Sequence, residues 1–416
     1  MRAAQRFRFG RDVGILATGE VLSRGLNFLA FSRLARLLSL PGYGLLELAQ
    51  AFMVLLTLLV DLGTGKTGTR EIAANGGSPP HALVETIVWV QALLSTVIML
   101  LVLLGTYGPA EPRFKRLLFG FALSLLGYPF LLGWFFLGQS QMMPVAVLQV
   151  VRRAVFLGVT LVVVRSPMDL FRVPWAEIAA VATAATGYVA LMGATGRSMT
   201  GTFHVHRGLH LFRESLPIGG SQLVWACRLY LPMLILAFYY DSTSIGFFGA
   251  ALRIVVVAQA LLGTYFTTLF PALSEVSSAP LGVLGTYLDR SLRSVLWPLV
   301  MVAIATTVCS PIMIRLVFGL KFVKPEATTT LALLIWVLPI LAWRRHCAEA
   351  LIALRRAGDE LVCSLLGLVL LVALTLSLAR IGVLAGAWAM LISEVVASAL
   401  TAWQLRHYLR EGRTFG

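Results

Sequence analysis

The chain is poor in charge. Only 13% of its 416 residues are Asp, Glu, Lys or Arg, against about 25% in soluble domains, and this shortage excludes water as the solvent of most of its surface. Acidic residues are the scarcer kind, 19 against 34 basic ones. Cysteine is rare and unpatterned. Cys227, Cys309, Cys347 and Cys363 lie in or beside apolar runs with no CxxC spacing, which removes a CxxC metal or redox motif and leaves them to be read as small core residues. Short segments of alternating polarity are missing too, which excludes a transmembrane β-barrel, whose strands are roughly ten alternating residues long. The segment after Arg11 has no small-residue cleavage site and contains Glu20, Arg24 and Asn27, so it is expected to be a retained first helix and not a signal peptide.

What the chain has is hydrocarbon: 58% of its residues are hydrophobic and the mean hydropathy is +0.85. A bilayer core about 30 Å thick needs roughly 20 apolar residues per helix, and lipid offers the backbone no partners, so spans of this length must be helical. The hydropathy pattern predicts about twelve spans, near residues 12–35, 44–65, 83–105, 116–137, 144–164, 174–195, 214–239, 246–270, 292–317, 328–350, 361–380 and 383–405. Turn residues punctuate them: Pro41-Gly42, Gly76-Gly77-Ser78-Pro79-Pro80 and Ser166-Pro167. Gly42 and Gly44 flanking Tyr43 predict a tight turn between the first two helices with Tyr43 at the membrane interface. An even span count puts both termini on one side. The arginines at 2, 6, 8 and 11 and at 406, 410 and 413 make that side cytoplasmic.

The net charge of +15 would suggest nucleic acid in a soluble protein. Here it reads instead as basic cytoplasmic loops, with some arginines lining a path for an anion. The longest polar break, 197–213, falls midway, and Arg24 and Arg228, like Gly42 and Gly246, are each 204 positions apart. The expected architecture is therefore an all-α integral membrane protein of two six-helix bundles, residues 1–196 and 214–416, joined by a cytoplasmic linker at 197–213. Six spans per half keep the same topology, so the halves should be related by a pseudo-two-fold axis along the membrane normal.

Charges inside spans are costly, so they should face protein or a wet cavity. In the first helix Glu20, Arg24, Asn27 and Phe31 share one face, with Glu20 and Arg24 spaced for an ion pair. Other in-span polar residues are Glu47, Gln50, Glu85, Gln149, Arg152, Arg153, Arg228, Arg253 and Glu394. For any one of them the plain reading is an internal ion pair that ties helices together. Taken as a set, the excess of arginine over glutamate favours an anion-attracting lumen, since guanidinium is always charged and grips phosphate oxygens bidentately. The expected substrate-binding residues are Arg24, Arg228, Arg253, Arg152, Asn27 and Gln149. Glu20 and Glu85 are candidates for binding a coupling ion. Two weaker motifs carry no site. Gly63-Thr64-Gly65-Lys66-Thr67 lacks the glycine a phosphate-binding loop needs at position 60, which is Val60. His204, His206 and His210 have no carboxylate or cysteine to complete a metal set.

Residues 34–44, LARLLSLPGYG, followed by Leu59-Val60-Asp61-Leu62-Gly63 and Thr69-Arg70-Glu71-Ile72-Ala73, resemble the opening of bacterial polysaccharide flippases. These are the O-antigen and teichoic acid exporters of the multidrug/oligosaccharidyl-lipid/polysaccharide superfamily. Residues 133–139, GWFFLGQ, and 246–253, GFFGAALR, with Leu269-Phe270-Pro271-Ala272-Leu273-Ser274 and Val317-Phe318-Gly319 continue the likeness in order along nearly the whole chain. Many members have fourteen spans, two more than expected here. The resemblance implies a non-enzymatic exporter without a cofactor, in the bacterial inner membrane. It would move a lipid-linked oligosaccharide on a polyprenyl diphosphate by alternating access between two bundles, alongside membrane lipids and the polymerase and glycosyltransferases of a polysaccharide pathway. A multidrug or cation extruder would want an anionic, aromatic-lined lumen. A membrane-embedded glycosyltransferase or polymerase would want a large extracytoplasmic loop, and no break in the chain is long enough.

Overall fold

The computed structural model describes residues 2–79, 82–108, 111–195, 205–276, 281–354 and 356–411. They form fifteen α-helices and no strand. The first eight are α1 (Arg2–Leu37), α2 (Leu40–Asp61), α3 (Thr64–Ala74), α4 (Leu83–Gly105), α5 (Pro112–Ala122), α6 (Gly133–Gly138), α7 (Met142–Val163) and α8 (Val173–Ala194). There follow α9 (Val205–Leu236), α10 (Ser242–Val276), α11 (Leu281–Phe318), α12 (Pro325–Leu334), α13 (Val337–Ala353), α14 (Ala357–Leu378) and α15 (Leu384–Glu411). Ten stretches among the described residues are long and apolar enough to cross a membrane. With α1 and α9 they correspond to the twelve expected spans, and the chain is a multi-pass membrane protein.

Three spans expected to be continuous are broken. The second ends at Asp61, where Leu62 (φ 40°) and Gly63 (φ 81°) turn left-handed before α3 begins. The Asp61 carboxylate accepts from the backbone N–H groups of Gly63 (3.2 Å) and Gly65 (3.0 Å) and from Gln91 Nε2 (3.1 Å), so the orphan donors of the new helix are satisfied inside the membrane protein. The fourth span runs α5, a 3-10 segment Leu123–Phe130 containing Pro129, then α6; proline removes one ladder donor and its ring crowds the preceding turn. The tenth divides into α12 and α13, with Pro339 in the first turn of α13.

Two local expectations change. Gly42, Tyr43 and Gly44 do not form the connecting turn but open α2. Ser39 caps the helix by accepting from the Gly42 N–H (3.2 Å), and Pro41 sits in its first turn. Tyr43 is therefore carried into the core, fully buried. Of the cysteines, Cys347 and Cys363 are buried, Cys227 is half-buried and Cys309 is exposed on α11, so the core reading fails for the last: the face of α11 carrying Cys309, Ile312 and Leu316 points outward.

The chain divides into two compact units, Met1–Ala226 and Cys227–Gly416, with the division inside α9. Of the expected linker, residues 197–204 lie outside the described residues and 205–213 are helical. In the first unit α1 packs on α7, α7 on α8, α2 on α5 and α3 on α6. Its core gathers Ile72, Leu132, Phe135, Phe136, Val145 and Tyr188. In the second, α13 and α14 pack on α15 and α10 on α12, around a core that includes Phe266, Leu273, Ala342, Leu351 and Leu405. Large apolar side chains also face outward, such as Leu93, Leu101 and Leu104 on α4 and Val308 and Leu316 on α11. A soluble protein would bury patches of this kind, while a bilayer solvates them.

Within the first unit the start of α9 crosses the break between α2 and α3 at backbone distance. A Cβ on Gly63 would lie 2.6 Å from the Gly219 nitrogen, one on Gly219 would collide with the backbone of Leu62, and Ser215 Oγ donates to Thr67 Oγ1 at 3.0 Å. By contrast, nothing lies within 4 Å of a Cβ on Gly220. Gly219→Ala should therefore destabilise the protein by roughly 1–3 kcal/mol, the usual cost of overpacking. Gly220→Ala should be neutral or slightly stabilising, since alanine is the better helix former. Thermal denaturation of the two purified variants checks this, and equal midpoints would refute the close crossing.

Candidate functional site

The polar stripe expected on α1 meets a second one on α7. Glu20, Ser23, Arg24 and Asn27 recur at helical spacing on α1, as do Gln149, Arg152 and Arg153 on α7, and the seven line a cleft of about 270 Å³ in the first unit. The two helices are held together on either side of it. At one end Gly19 lets the backbones close up, for a Cβ there would lie 2.7 Å from Ala146 Cβ; at the other Phe31 stacks on Phe156 with ring centroids 5.9 Å apart. Between these contacts the cleft is lined by charged and polar side chains. The cleft lies at the small end of ligand pockets, about 300 to 1,000 Å³, which suits a headgroup better than a whole lipid-linked molecule.

The charges are arranged in two layers. Behind the cleft, Arg152 Nη2 donates to Glu177 Oε1 on α8 (2.6 Å) and to Tyr128 Oη (2.7 Å), and its guanidinium carbon stands 5.0 Å from the Tyr128 ring centroid. Arg153 Nη1 is 3.6 Å from Glu177 Oε2, so one buried carboxylate serves two arginines. At the front, Arg24 is paired along its own helix: Glu20 Oε1 accepts from Arg24 Nε at 2.7 Å and lies 2.5 Å from Nη2. Three arginines against two glutamates leave the cleft with a surplus of one positive charge. Three buried polar atoms of the lining have no protein partner: Asn27 Oδ1, Gln149 Oε1 and Arg152 Nε. Buried groups of this kind normally bond to protein, water or a ligand.

Within the first unit the structure brings together Glu20, Arg24, Asn27, Gln149 and Arg152; Glu85 of the same unit is not in the cleft lining, and Arg228 and Arg253 belong to the second unit. Arg228 is buried in the second unit, where Nη2 pairs with Glu394 Oε2 and Nη1 donates to the Ser364 carbonyl at 3.2 Å. Glu394 also accepts from Arg344 Nε (2.7 Å), and Arg344 Nη1 reaches Glu360 Oε1 (3.3 Å) and Ser364 Oγ (3.1 Å). The backbone of Gly367 makes room for this group, since a Cβ there would collide with Arg228 Nη1. Two arginines and two glutamates balance. Arg253 lies half-buried on α10, and Glu85 occupies the first turn of α4, where a carboxylate favours the positive end of the helix dipole.

Among the residues that shape the site, Glu177, Tyr128 and Ser23 were not singled out from the sequence. Glu177 had a visible signal, a lone acid within an apolar run; Tyr128 and Ser23 had none.

Comparisons with known proteins agree with this architecture. The family described as "Polysaccharide biosynthesis protein" matches residues 9–277. A "Putative O-antigen transporter" of Escherichia coli (strain K12) is 26% identical over 277 residues, 64% of this chain and 65% of that protein, so the chain spans a little under two thirds of that relative's length. Two solved structures share the fold. An inward-facing multidrug resistance MATE family transporter of the MOP superfamily superposes with a TM-score of 0.77 at 14% identity, covering 95% of this chain and 96% of that one. The lipid II flippase MurJ in an inward closed conformation superposes at 0.75 and 12% identity, covering 94% and 87%.

The balanced network around Glu394 is a structural lock. Glu394→Ala would leave buried Arg228 without a carboxylate and Arg344 with Glu360 alone, and should cost about 3–5 kcal/mol. Arg228→Ala leaves Glu394 paired with Arg344 and should cost clearly less. The yield and thermal midpoint of each inserted variant test this ordering, and the reverse order would contradict it.

Proposed function

The chain belongs to the polysaccharide biosynthesis protein family, and from that premise we propose that it is an exporter that moves a lipid-linked oligosaccharide across the bacterial inner membrane, both termini cytoplasmic. The observation that carries the reading is the net-positive cleft between α1 and α7, among whose lining residues three buried polar atoms have no protein partner. An arginine-rich cleft in a membrane protein is suited to an anion, because guanidinium makes charge-assisted bonds to its oxygens. A diphosphate between a polyprenyl chain and a sugar is such an anion. In this reading Arg24 and Arg152 bind its oxygens, Asn27 and Gln149 take the first sugar hydroxyls, and the chain of the lipid stays in the bilayer while the protein alternates its access. The O-antigen relative and the lipid flippase among the fold neighbours support this substrate class. A cation extruder fits less well, since the surplus charge of the cleft repels its cargo.

Activity measured as surface glycan display or as transport in vesicles, normalised to inserted protein, tests the site. Arg24→Ala and Arg152→Ala should each lower it at least about tenfold, the loss of one charge-assisted contact, and Arg24→Lys should fall between, keeping charge without the bidentate edge. Full activity in well-inserted Arg24→Ala and Arg152→Ala variants would remove the cleft from the substrate path. Single-cysteine reporters at Met1, near His206 and at Gly416 should be labelled from the cytoplasm, and labelling from outside alone at any of them would overturn the orientation.

A further inference from the structure

We infer that the second unit carries a site for a zwitterionic aminophospholipid, phosphatidylethanolamine, between α11, α13 and α15, with the lipid phosphate on Arg406 and its ammonium on Asp289. The inference is independent of the cleft in the first unit. Two observations carry it: a cavity edged by one charge of each sign, and an apolar track that leads to it.

The cavity has a volume of about 320 Å³ and lies wholly within the second unit. Leu292 of α11, Trp343 of α13 and Leu405 of α15 give it apolar walls, and Asp289 and Arg406 are its charged members. His346 also borders it, but its ring nitrogens are engaged, Nδ1 with the Ala342 carbonyl (2.9 Å) and Nε2 with Tyr265 Oη (3.2 Å). Both charged side chains are exposed. Among the described residues no ion pair joins Asp289 to Arg406, and none ties either of them to another side chain. A cation and an anion that edge one cavity without closing on each other complement a ligand that carries the same two charges a short distance apart. An anionic lipid would satisfy Arg406 and turn a phosphate toward the carboxylate of Asp289. A simple cation would leave Arg406 unmatched.

The position of the cavity narrows the ligand to a lipid. Asp289 lies near the start of the apolar stretch Thr286–Phe318 and Arg406 near the end of Leu384–Tyr408, so the two charges stand where hydrocarbon gives way to headgroups. Trp403, exposed and stacked on His407 with ring centroids 5.6 Å apart, marks the same level, since tryptophan collects at that boundary. From Arg406 one face of α15 continues at helical spacing through Ala402, Ala399, Val395 and Ile392. Ala402 borders the cavity and the other three are exposed. Arg406 to Val395 is about 16 Å of helix, the depth of one leaflet of a hydrocarbon core about 30 Å thick. An acyl chain laid along this track brings its headgroup to the cavity, with the phosphate beside Arg406 and the terminal ammonium within reach of Asp289. Both contacts are charge-assisted hydrogen bonds. A choline head has the same charges but no N–H to give the carboxylate, so it matches the site less well.

The test is native mass spectrometry of the full chain released from detergent micelles, with phosphatidylethanolamine, phosphatidylglycerol and phosphatidylcholine of equal acyl composition offered in turn. The wild type should retain about one phosphatidylethanolamine per chain and bind it about threefold or more tighter than either of the others, the effect expected of one contact between partly exposed charges. Arg406→Ala should lose the bound lipid. Asp289→Asn should still retain lipid but bind phosphatidylglycerol at least as well as phosphatidylethanolamine, a change of preference that a folding defect does not produce. Arg293→Ala, one turn along α11 from Asp289 and outside the cavity lining, should behave as the wild type. Equal retention of the three lipids, a choline lipid held as tightly as the ethanolamine one, an unchanged preference in Asp289→Asn or Arg406→Ala, or a lost preference in Arg293→Ala would each overturn the inference. One-for-one displacement of the phospholipid by geranyl diphosphoryl-N-acetylglucosamine would overturn it too, by giving the cavity to a lipid-linked sugar. None of these results touches the cleft of the first unit, which is tested by transport in its own variants.

Discussion

The constraint on which everything else depends is the price of an unpaired charge in hydrocarbon. It explains why carboxylates within the helices of this protein meet donors. Glu177 is bridged to two arginines of α7, Glu394 to arginines of α9 and α13, and Asp61 to backbone amides and Gln91. The first two join different helices, and they fix which helices are neighbours more sharply than apolar packing does, since Leu against Leu is nearly as good as Leu against lipid. Glu20 and Arg24 depart from this pattern. They satisfy each other within one helix, tie nothing together, and face an open cleft. A pair that stabilises no tertiary contact is free to be exchanged for another partner, and that freedom marks the site.

The broken spans follow from the same constraint. A helix interrupted inside a membrane leaves donors and acceptors that lipid cannot satisfy, so each break needs a local solution. At the end of α2 the solution is one carboxylate placed ahead of a new helix, and the left-handed turn before it requires Gly63. The same glycine then allows α9 to cross at backbone distance through Gly219. Local capping and tertiary packing are solved there by one residue, which is why a position that reads in sequence as part of a loop motif is a packing site in the fold.

Much of this was legible in the sequence. Runs of apolar residues long enough for lipid locate the spans, and the period of the helix places Glu20, Arg24 and Asn27 on one face without any structure. The same period joins Gln149 to Arg152. The pairing of those two faces was not legible, because the close approach depends on Gly19 and Ala146, and small residues are too common in this chain, with 37 glycines, for any one to stand out. Tyr43 was misplaced because Pro41-Gly42 reads equally as a turn or as the first turn of a helix, and the Ser39 cap decides between them. Arg228 was grouped with Arg24 as an arginine within a span at the repeat offset of 204 positions, and its partner Glu394 lies 166 positions away, beyond the reach of any local pattern.

The contrast between Arg24 and Arg228 shows how little a residue type says about a role. They stand 204 positions apart, the same offset that separates Gly42 from Gly246. Arg228 is closed in by Glu394, Ser364 and the bare backbone of Gly367, in a network whose charges sum to zero. Arg24 is half-exposed beside a cleft whose charges do not. A balanced, buried network resists any newcomer, since an anion entering it would have to displace a carboxylate already held by two guanidinium groups and would leave that carboxylate without water. A surplus of charge beside open space does the opposite: it is incomplete by itself and is completed by a ligand of the other sign. On physical grounds the cleft of the first unit is thus open to a partner of negative charge, while Arg228 ties together helices of its own unit.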